Sequence, residues 1–455
     1  MPTSTISFNY PYYPSVSLPP GTLSFIALIL GSLFAVGLIL VIMERLIPAA
    51  PINRTIGIVV MIAAVLIFAA VFLYARNAAE LSLPVFSPHA MLSTLWVNYE
   101  RQYIDPASGR TFDTQRQNDT TSEGEGYTML RAVWMDDETT FDQSWNWTAA
   151  HLETSNHLFS WLYGALPNGT EGVLVSQNGQ NSASDADTDI ALALVFAYAR
   201  WQKPAYLQQA IPVIRSIWKN EVISAQGKPY LAPNDVTSPS SRFIEINPSY
   251  FSPYAYRIFA VLDPQDRWTN LIDTSYELLD KSMTQPLGGP SSAGLPPDWM
   301  QLDTQTGSLL PSANPVETTN FGYDAIRVPW RIALDWEWFK EPRAKATLQK
   351  MGFLSKAWQT QEKLYAIYTH AGAPAANYEA PAAYGGTMGY FIVADPRGAA
   401  AVYAKKLVSL YDPDTETWKL PLSYYDANIA WFGMALYNGE LPNLFTALSS
   451  QASLN

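Results

Sequence analysis

Thr120-Thr121-Ser122-Glu123-Gly124-Glu125-Gly126-Tyr127-Thr128-Met129-Leu130 joins a polar run, Asp113 to Asp119, to an apolar helical pattern made by Tyr127, Met129, Leu130, Val133 and Trp134. Ser122 and Glu123 therefore fall at a helix start, where unpaired backbone N–H groups gather. Gly124 and Gly126 sit in the opening turn, where each is about 1 kcal/mol worse than Ala. Two glycines there predict that another group approaches the backbone closely. A carboxylate framed in this way is a candidate for chemistry. Ser-Glu ahead of an apolar run is also an ordinary capping device, so the stretch by itself leaves both readings open.

The bulk properties narrow the choice. A chain of 455 residues has room for one large domain or about two to three ordinary ones. A formal net charge of −12 excludes a basic stripe that could neutralise phosphates, which argues against a nucleic-acid partner. There is no cysteine, hence no disulfide framework and no thiolate metal site. His89, His151, His157 and His370 show no metal-ligand spacing, and neither a metal nor an organic cofactor is expected. The chain carries 15 Trp and 26 Tyr. Core packing accounts for most of them, yet aromatic faces beside carboxylates also suit a cleft for sugars, whose C–H faces pack on rings.

Residues 1–22 are rich in Pro, Ser and Tyr and contain no Lys or Arg, unlike a signal peptide with its basic start. Leu23 to Met43 and Ile56 to Ala75 are uncharged apolar runs, each reaching the roughly 20 residues that span a bilayer. They predict a transmembrane helical hairpin over 23–76, followed by a linker at 77–86. Arg45 and Arg54 in the connecting link contrast with the uncharged tail and place the link in the cytoplasm. The expected arrangement is a protein of the cytoplasmic membrane with two spans, its N-terminal tail and main domain on the extracytoplasmic side.

Beyond this the pattern is that of an all-α domain. Helical apolar periods recur at 87–103, 124–135, 138–152, 187–202, 204–219, 249–261, 264–282, 324–338, 343–360, 384–394, 398–411 and 425–437. Short joins alternate with long polar loops at 104–122, 164–186, 220–248, 284–323 and 369–383. Six helical hairpins of this kind suggest an α/α-toroid over 87–438, with a tail at 439–455. Short strands are expected at Val173-Leu174-Val175 and Ser308-Leu309-Leu310.

The even-numbered segments open with Ser122-Glu123, Ser184 to Asp189, Asn247-Pro248-Ser249-Tyr250, Phe321 to Arg327, Tyr384-Gly385-Gly386 and Ser423 to Asp426. In a toroid these starts share one mouth, so acids and tyrosines far apart in the chain would converge. Helix starts favour Ser, Asp and Asn in any case, but that preference does not explain the Tyr, Gly and Arg beside them. Asp185-x-Asp187-x-Asp189 resembles a calcium loop, but Ile190 and Phe196 stand where an EF-hand needs Gly and Glu. At least one of these acids is expected to be structural. Paired carboxylates across a sugar cleft define glycoside hydrolysis, one donating a proton and the other activating water. Glu123 and Asp324 are the natural pair, with Arg327 one turn after Asp324.

The runs Ser122 to Met129, Ser182 to Asp187, Asn247 to Tyr250, Pro297-Asp298-Trp299, Tyr323 to Arg327 and Tyr424 to Gly433 resemble glycoside hydrolase family 8 over roughly residues 90 to 438. Within it, the likeness is to cellulase-type endoglucanases that accompany bacterial cellulose synthesis. The resemblance implies an (α/α)6 barrel and an inverting endo-hydrolase of β-1,4-linked glucan. It implies Glu123 as general acid, Asp324 as general base and Asp185 as the acid that holds the sugar beside the scissile bond. Tyr250 and Arg327 match residues that position water and base, and Trp161 and Tyr424 match cleft-lining aromatics. Inversion predicts carboxyl groups roughly 6.5–9.5 Å apart. Thr128 and Glu125 depart from the family pattern. Membrane attachment would add a lipid bilayer and a membrane polysaccharide synthase as partners. Xylan or chitosan remain alternative substrates, and a non-catalytic glycan-binding role in polysaccharide export remains an alternative function.

Overall fold

The computed structural model describes residues 87–446 together with Ile62, Ala63, Val65 and Leu66. The chain divides into two units at residues 85 and 86, and the second is described by itself. Ser87 caps its first helix, α1 (Pro88–Tyr103). Helices then alternate between two environments. An inner set comprises α2 (Ser122–Trp134), α4 (Ser184–Trp201), α6 (Pro253–Leu262), α8 (Arg327–Phe339), α11 (Pro381–Ala394) and α13 (Tyr424–Tyr437). An outer set comprises α1, α3 (Glu138–His151), α5 (Pro204–Glu221), α7 (Trp268–Thr284), α9 (Pro342–Lys350), α10 (Gly352–Gln361) and α12 (Pro396–Val402).

Burial separates the two sets. Every residue of α2 except Glu123 is buried, as befits a helix walled by others on all sides. In α5 the buried residues follow helical spacing, Tyr206, Ala210, Val213, Ile214 and Ile217, and leave a polar outer face. Around the inner ring, α2 packs on α4, α8 on α6 and α11, and α11 on α13. Tyr127 and Phe432, with centroids 5.3 Å apart, join α13 back to α2. Arg331 of α8 ties α4 to α8 through Asp189 at 2.6 and 2.8 Å. Helices α11 and α13 meet backbone to backbone: a Cβ on Gly433 would lie 2.4 Å from the Gly385 carbonyl oxygen, a gap that only glycine permits. This is the expected helical toroid.

The long loops hold more strand than expected. β1 (Thr120–Thr121), β2 (Leu162–Ala165) and β3 (Glu171–Val173) form one antiparallel sheet. β4 (Val222–Ala225) and β5 (Lys228–Leu231) form a hairpin whose turn residues Gln226 and Gly227 both have positive φ. β6 (Phe243–Ile246), β7 (Met300–Asp303) and β8 (Leu309–Leu310) form another sheet, and β9 (Tyr411–Asp412) pairs with β10 (Thr417–Trp418). The expected helix 343–360 is two helices, divided at Met351-Gly352, where glycine weakens helix propensity. The expected helix 398–411 loosens after α12 into a π turn at Tyr403–Leu407.

The membrane-anchored arrangement is corrected. Among the described residues no helix is long and apolar enough to cross a membrane. The expected spans at 23–43 and 56–75 lie outside the described residues apart from Ile62, Ala63, Val65 and Leu66. An apolar run is equally what a helix buried by other helices requires, and α2 and α13 use theirs in that way. With the two transmembrane helices fall the multi-pass localisation, the extracytoplasmic placement, the bilayer contact and the synthase partner.

Candidate active site

The long loops deliver the inner helix starts to a cleft of about 470 Å³, and all seven residues singled out from the sequence line it: Glu123, Trp161, Asp185, Tyr250, Asp324, Arg327 and Tyr424. A separate, open depression lined by Tyr365, Ile367 and Pro374 to Tyr378 has no carboxylate. The carboxylates gather in the first.

At the start of α2 the cap is Thr121, whose hydroxyl accepts from the Gly124 N–H at 3.1 Å. Ser122 is buried, and its hydroxyl meets no partner. Glu123 is therefore not spent on capping; its side chain turns outward to Arg327 and accepts from the Tyr424 hydroxyl at 3.2 Å. The close approach predicted at the two glycines is real. A Cβ on Gly124 would lie 3.3 Å from the Tyr424 ring, and one on Gly126 would lie 3.3 Å from the Asp189 side chain.

The three alternating acids of α4 part company. Asp185 accepts from Arg327 Nη1 at 2.9 Å, Asp189 pairs with buried Arg331, and Asp187 accepts from the Phe159 N–H at 2.8 Å. Only the first faces the cleft, so the other two are structural. Asn247 caps the short turn Pro248–Tyr250 and orients Ser249, whose hydroxyl accepts from Arg327 Nη2 at 2.8 Å. The Tyr250 ring lies 5.4 Å from the Arg327 guanidinium carbon and 5.8 Å from the Trp299 ring.

Asp324 precedes α8 in a turn held by Asp298, one of whose oxygens accepts the N–H groups of Gly322, Asp324 and Ala325 at 2.8–3.1 Å. The Asp324 carboxylate accepts from Arg327 Nη2 at 2.6 Å and from the Trp299 indole at 2.9 Å. Trp161 donates its indole N–H to the Asn178 carbonyl at 2.9 Å, and its own carbonyl accepts from the Ser122 N–H at 3.1 Å. The ring is thereby fixed relative to Glu123.

One guanidinium thus joins three carboxylates, Glu123, Asp185 and Asp324. Exposure sorts their positions. The side chains of Arg327 and Asp185 are each 2% exposed, while Glu123 is 21% and Asp324 34% exposed. Arg327 and Asp185 form the floor, and the other two acids open into the cleft. Burial, opposed by Arg327 and reinforced by the charges of Asp185 and Asp324, pushes the Glu123 carboxyl up to about 7. Burial also raises Asp185. Asp298 is pushed up to about 7 by burial and by the Asp324 charge. Glu125, fully enclosed, is pushed up to about 8 by burial; it accepts from the Thr111 N–H at 2.7 Å and the Ser144 hydroxyl at 2.6 Å. Glu125 therefore anchors the loop that leads to Asp113 and Arg116 at the cleft wall.

Sequence reasoning assigned no role to Asp298, Trp299, Ser249 or Tyr425, although all four lie within the runs that carry the family resemblance. Ser249 and Tyr425 lay beside assigned residues. What could have drawn attention to Asp298 was Pro-Asp-Trp in an otherwise polar loop.

Residues 71–410 match glycosyl hydrolases family 8. The chain belongs to that family. It is a glycoside hydrolase by descent, and the expected kinship holds without the added membrane hairpin. It is 33% identical to Endoglucanase 2 of Ruminiclostridium josui over 267 residues, 57% of this chain and 53% of that protein. It is 29% identical to Endoglucanase A of Acetivibrio thermocellus over 377 residues, 80% of this chain and 72% of the relative. The chain thus spans about half the length of the first of these relatives. Among solved structures, an endo-1,4-D-glucanase from Vibrio fischeri superposes with a TM-score of 0.65 at 25% identity, covering 75% of this chain and 94% of the other.

Proposed function

We propose that the protein is an endo-acting β-1,4-glucanase that hydrolyses its substrate with inversion, Glu123 serving as general acid and Asp324 as general base. The observation that carries the reading is the Arg327 guanidinium, which gathers both acids and Asp185 at the floor of an open, aromatic-walled cleft. Glu123, pushed up to about 7, holds its proton in mildly acidic solution and gives it to the leaving glycosidic oxygen. Asp324 takes a proton from the water that attacks the anomeric carbon on the opposite face of the ring. Arg327 and the Trp299 indole hold that carboxylate in place. Asp185, fixed by Arg327 beneath the cleft, binds the sugar next to the scissile bond, with Tyr250, Trp161 and Tyr424 forming the walls.

Relatives named endoglucanases favour a β-1,4-glucan. A relative named beta-glucanase in Niallia circulans, 30% identical over 270 residues, makes mixed-linkage glucan the second substrate to try. The test is to incubate the full chain with carboxymethyl-cellulose, mixed-linkage glucan, xylan and chitosan. New reducing ends are counted, and the anomer formed first is read by proton NMR. Release from the glucans as the inverted anomer, lost in Glu123→Gln and Asp324→Asn, is expected. Folded protein inactive on all four would support the glycan-binding role instead, and first release of the retained anomer would exclude the mechanism.

A further inference from the structure

Behind the cleft, Asp187 on α4 and Glu221 at the end of α5 meet inside the protein, and neither is exposed to solvent at all. Their carboxyl groups lie within hydrogen-bond reach of one another. One oxygen of each is accounted for: Asp187 Oδ1 accepts from the Phe159 N–H at 2.8 Å, and Glu221 Oε1 accepts from the Ser182 hydroxyl. The other two, Asp187 Oδ2 and Glu221 Oε2, meet no donor. Neither carboxyl belongs to an ion pair among the described residues. The groups facing them make matters worse: Asp185 lies on the same helix, Asp235 follows β5, and Tyr256 projects from α6. Two carboxylates in contact within such surroundings cannot both ionise.

We propose that Asp187 and Glu221 hold one proton between them, and that this shared proton seats the first turn of α4, and with it Asp185, beneath the cleft. A proton on one carboxyl supplies the donor that both empty oxygens lack, converting mutual repulsion into a hydrogen bond. The pair then clamps two edges of the site at once. Through Phe159 it holds the segment leading to Trp161. Through Ser182, whose hydroxyl also accepts from the Asp235 N–H at 2.9 Å and whose own N–H donates to Asp235 at 3.0 Å, it holds the entry to α4. Asp187 and Glu221 touch no substrate; they are positioning residues. The shared proton stands on this geometry alone, and only the importance of Asp185 rests on the proposed hydrolase reading.

Infrared spectroscopy of the full chain in D2O at neutral pH reads the proton directly. Subtracting the spectrum of Glu221→Gln from that of the wild type removes the signal of every other carboxyl, Glu125 included. A carbonyl band of a neutral carboxylic acid in the difference is expected, and the same band should be lost in Asp187→Asn. The second readout is the folding equilibrium constant against pH. At this pair the folded wild type binds one proton more than the unfolded chain, so its constant should fall about tenfold more per pH unit than that of either amide variant, from the pH at which unfolded carboxyls ionise upward. A difference spectrum without the band, together with parallel stability curves, would overturn the proposal. If one variant fails to fold, the other carries the comparison. Inactivity on every glycan with the band present would count against the hydrolase reading alone.

Discussion

Replacing Tyr424 by Phe removes a single oxygen from the wall of the cleft. That hydroxyl donates to Glu123 Oε1 at 3.2 Å and exchanges a hydrogen bond with the Thr121 hydroxyl, also at 3.2 Å. A donor to a carboxylate favours the ionised form, so the Tyr424 contact pulls the Glu123 pKa down against the upward push of burial. Hydrogen bonds to charged groups contribute about 1.5–3 kcal/mol. At 3.2 Å the bond is longer than the usual O–H···O range, so the low end applies. With about 1.36 kcal/mol for each pKa unit, the variant should hold its acid proton to a pH about one unit higher than the wild type, starting from about 7. The assay is reducing-end release from carboxymethyl-cellulose at subsaturating substrate over a range of pH. The basic limb of kcat/KM should move to higher pH by about that amount, while the lost Thr121 contact costs stability about 0.5–1.5 kcal/mol. A basic limb that stays in place, or moves to lower pH, would show that Glu123 is not the group titrating there.

Other outcomes follow from the same geometry. Glu123→Gln and Asp324→Asn should each lower kcat by on the order of 10²–10⁴ without loss of folding, because each removes one of the two proposed proton-transfer partners; reducing-end assays with thermal melts check this. Glu125→Gln should flatten the dependence of stability on pH. The folded Glu125 pKa of about 8 lies above its ordinary 4.5, so the stabilisation from its neutral form is complete below about 4.5 and lost as pH rises through about 8. Chemical denaturation at several pH values between these limits would detect no change of slope if Glu125 were ionised in the fold. Asp298→Ala strips the acceptor from three backbone N–H groups around Asp324. It should cost about 1–3 kcal/mol or more and lower kcat by up to about 10² through displacement of the proposed base. Arg331→Met leaves Asp189 buried and unpaired, and should cost about 3–5 kcal/mol in denaturant melts.

The inner helices of the ring and most of the outer ones were legible because burial on one or all faces leaves a period in the residues, as in α5 and α2. The strands of the loops were mostly not. Thr120-Thr121 and Leu162 to Ala165 pair across some forty positions of chain, and runs of two to four residues carry too little alternation to declare themselves. The apolar runs before residue 76 show the opposite limit. Hydropathy measures how apolar a run is, and says nothing of what covers it.

Glu123 and Asp324 could be chosen from the sequence because acids at helix starts, with Gly, Tyr and Arg beside them, are few. Their surroundings could not. That Arg327 would bind Glu123, some two hundred positions away, and that Asp298 would hold the Asp324 turn by three amides, depends on distances set only when the ring closes. The same holds for Asp185, Asp187 and Asp189, alike on paper and sent to three different partners by the 3.6-residue twist of one helix. Residue type determines which groups can exchange a proton; which of them are buried, paired or left facing the cleft is decided by packing, since proton affinity depends on burial and on neighbouring charge.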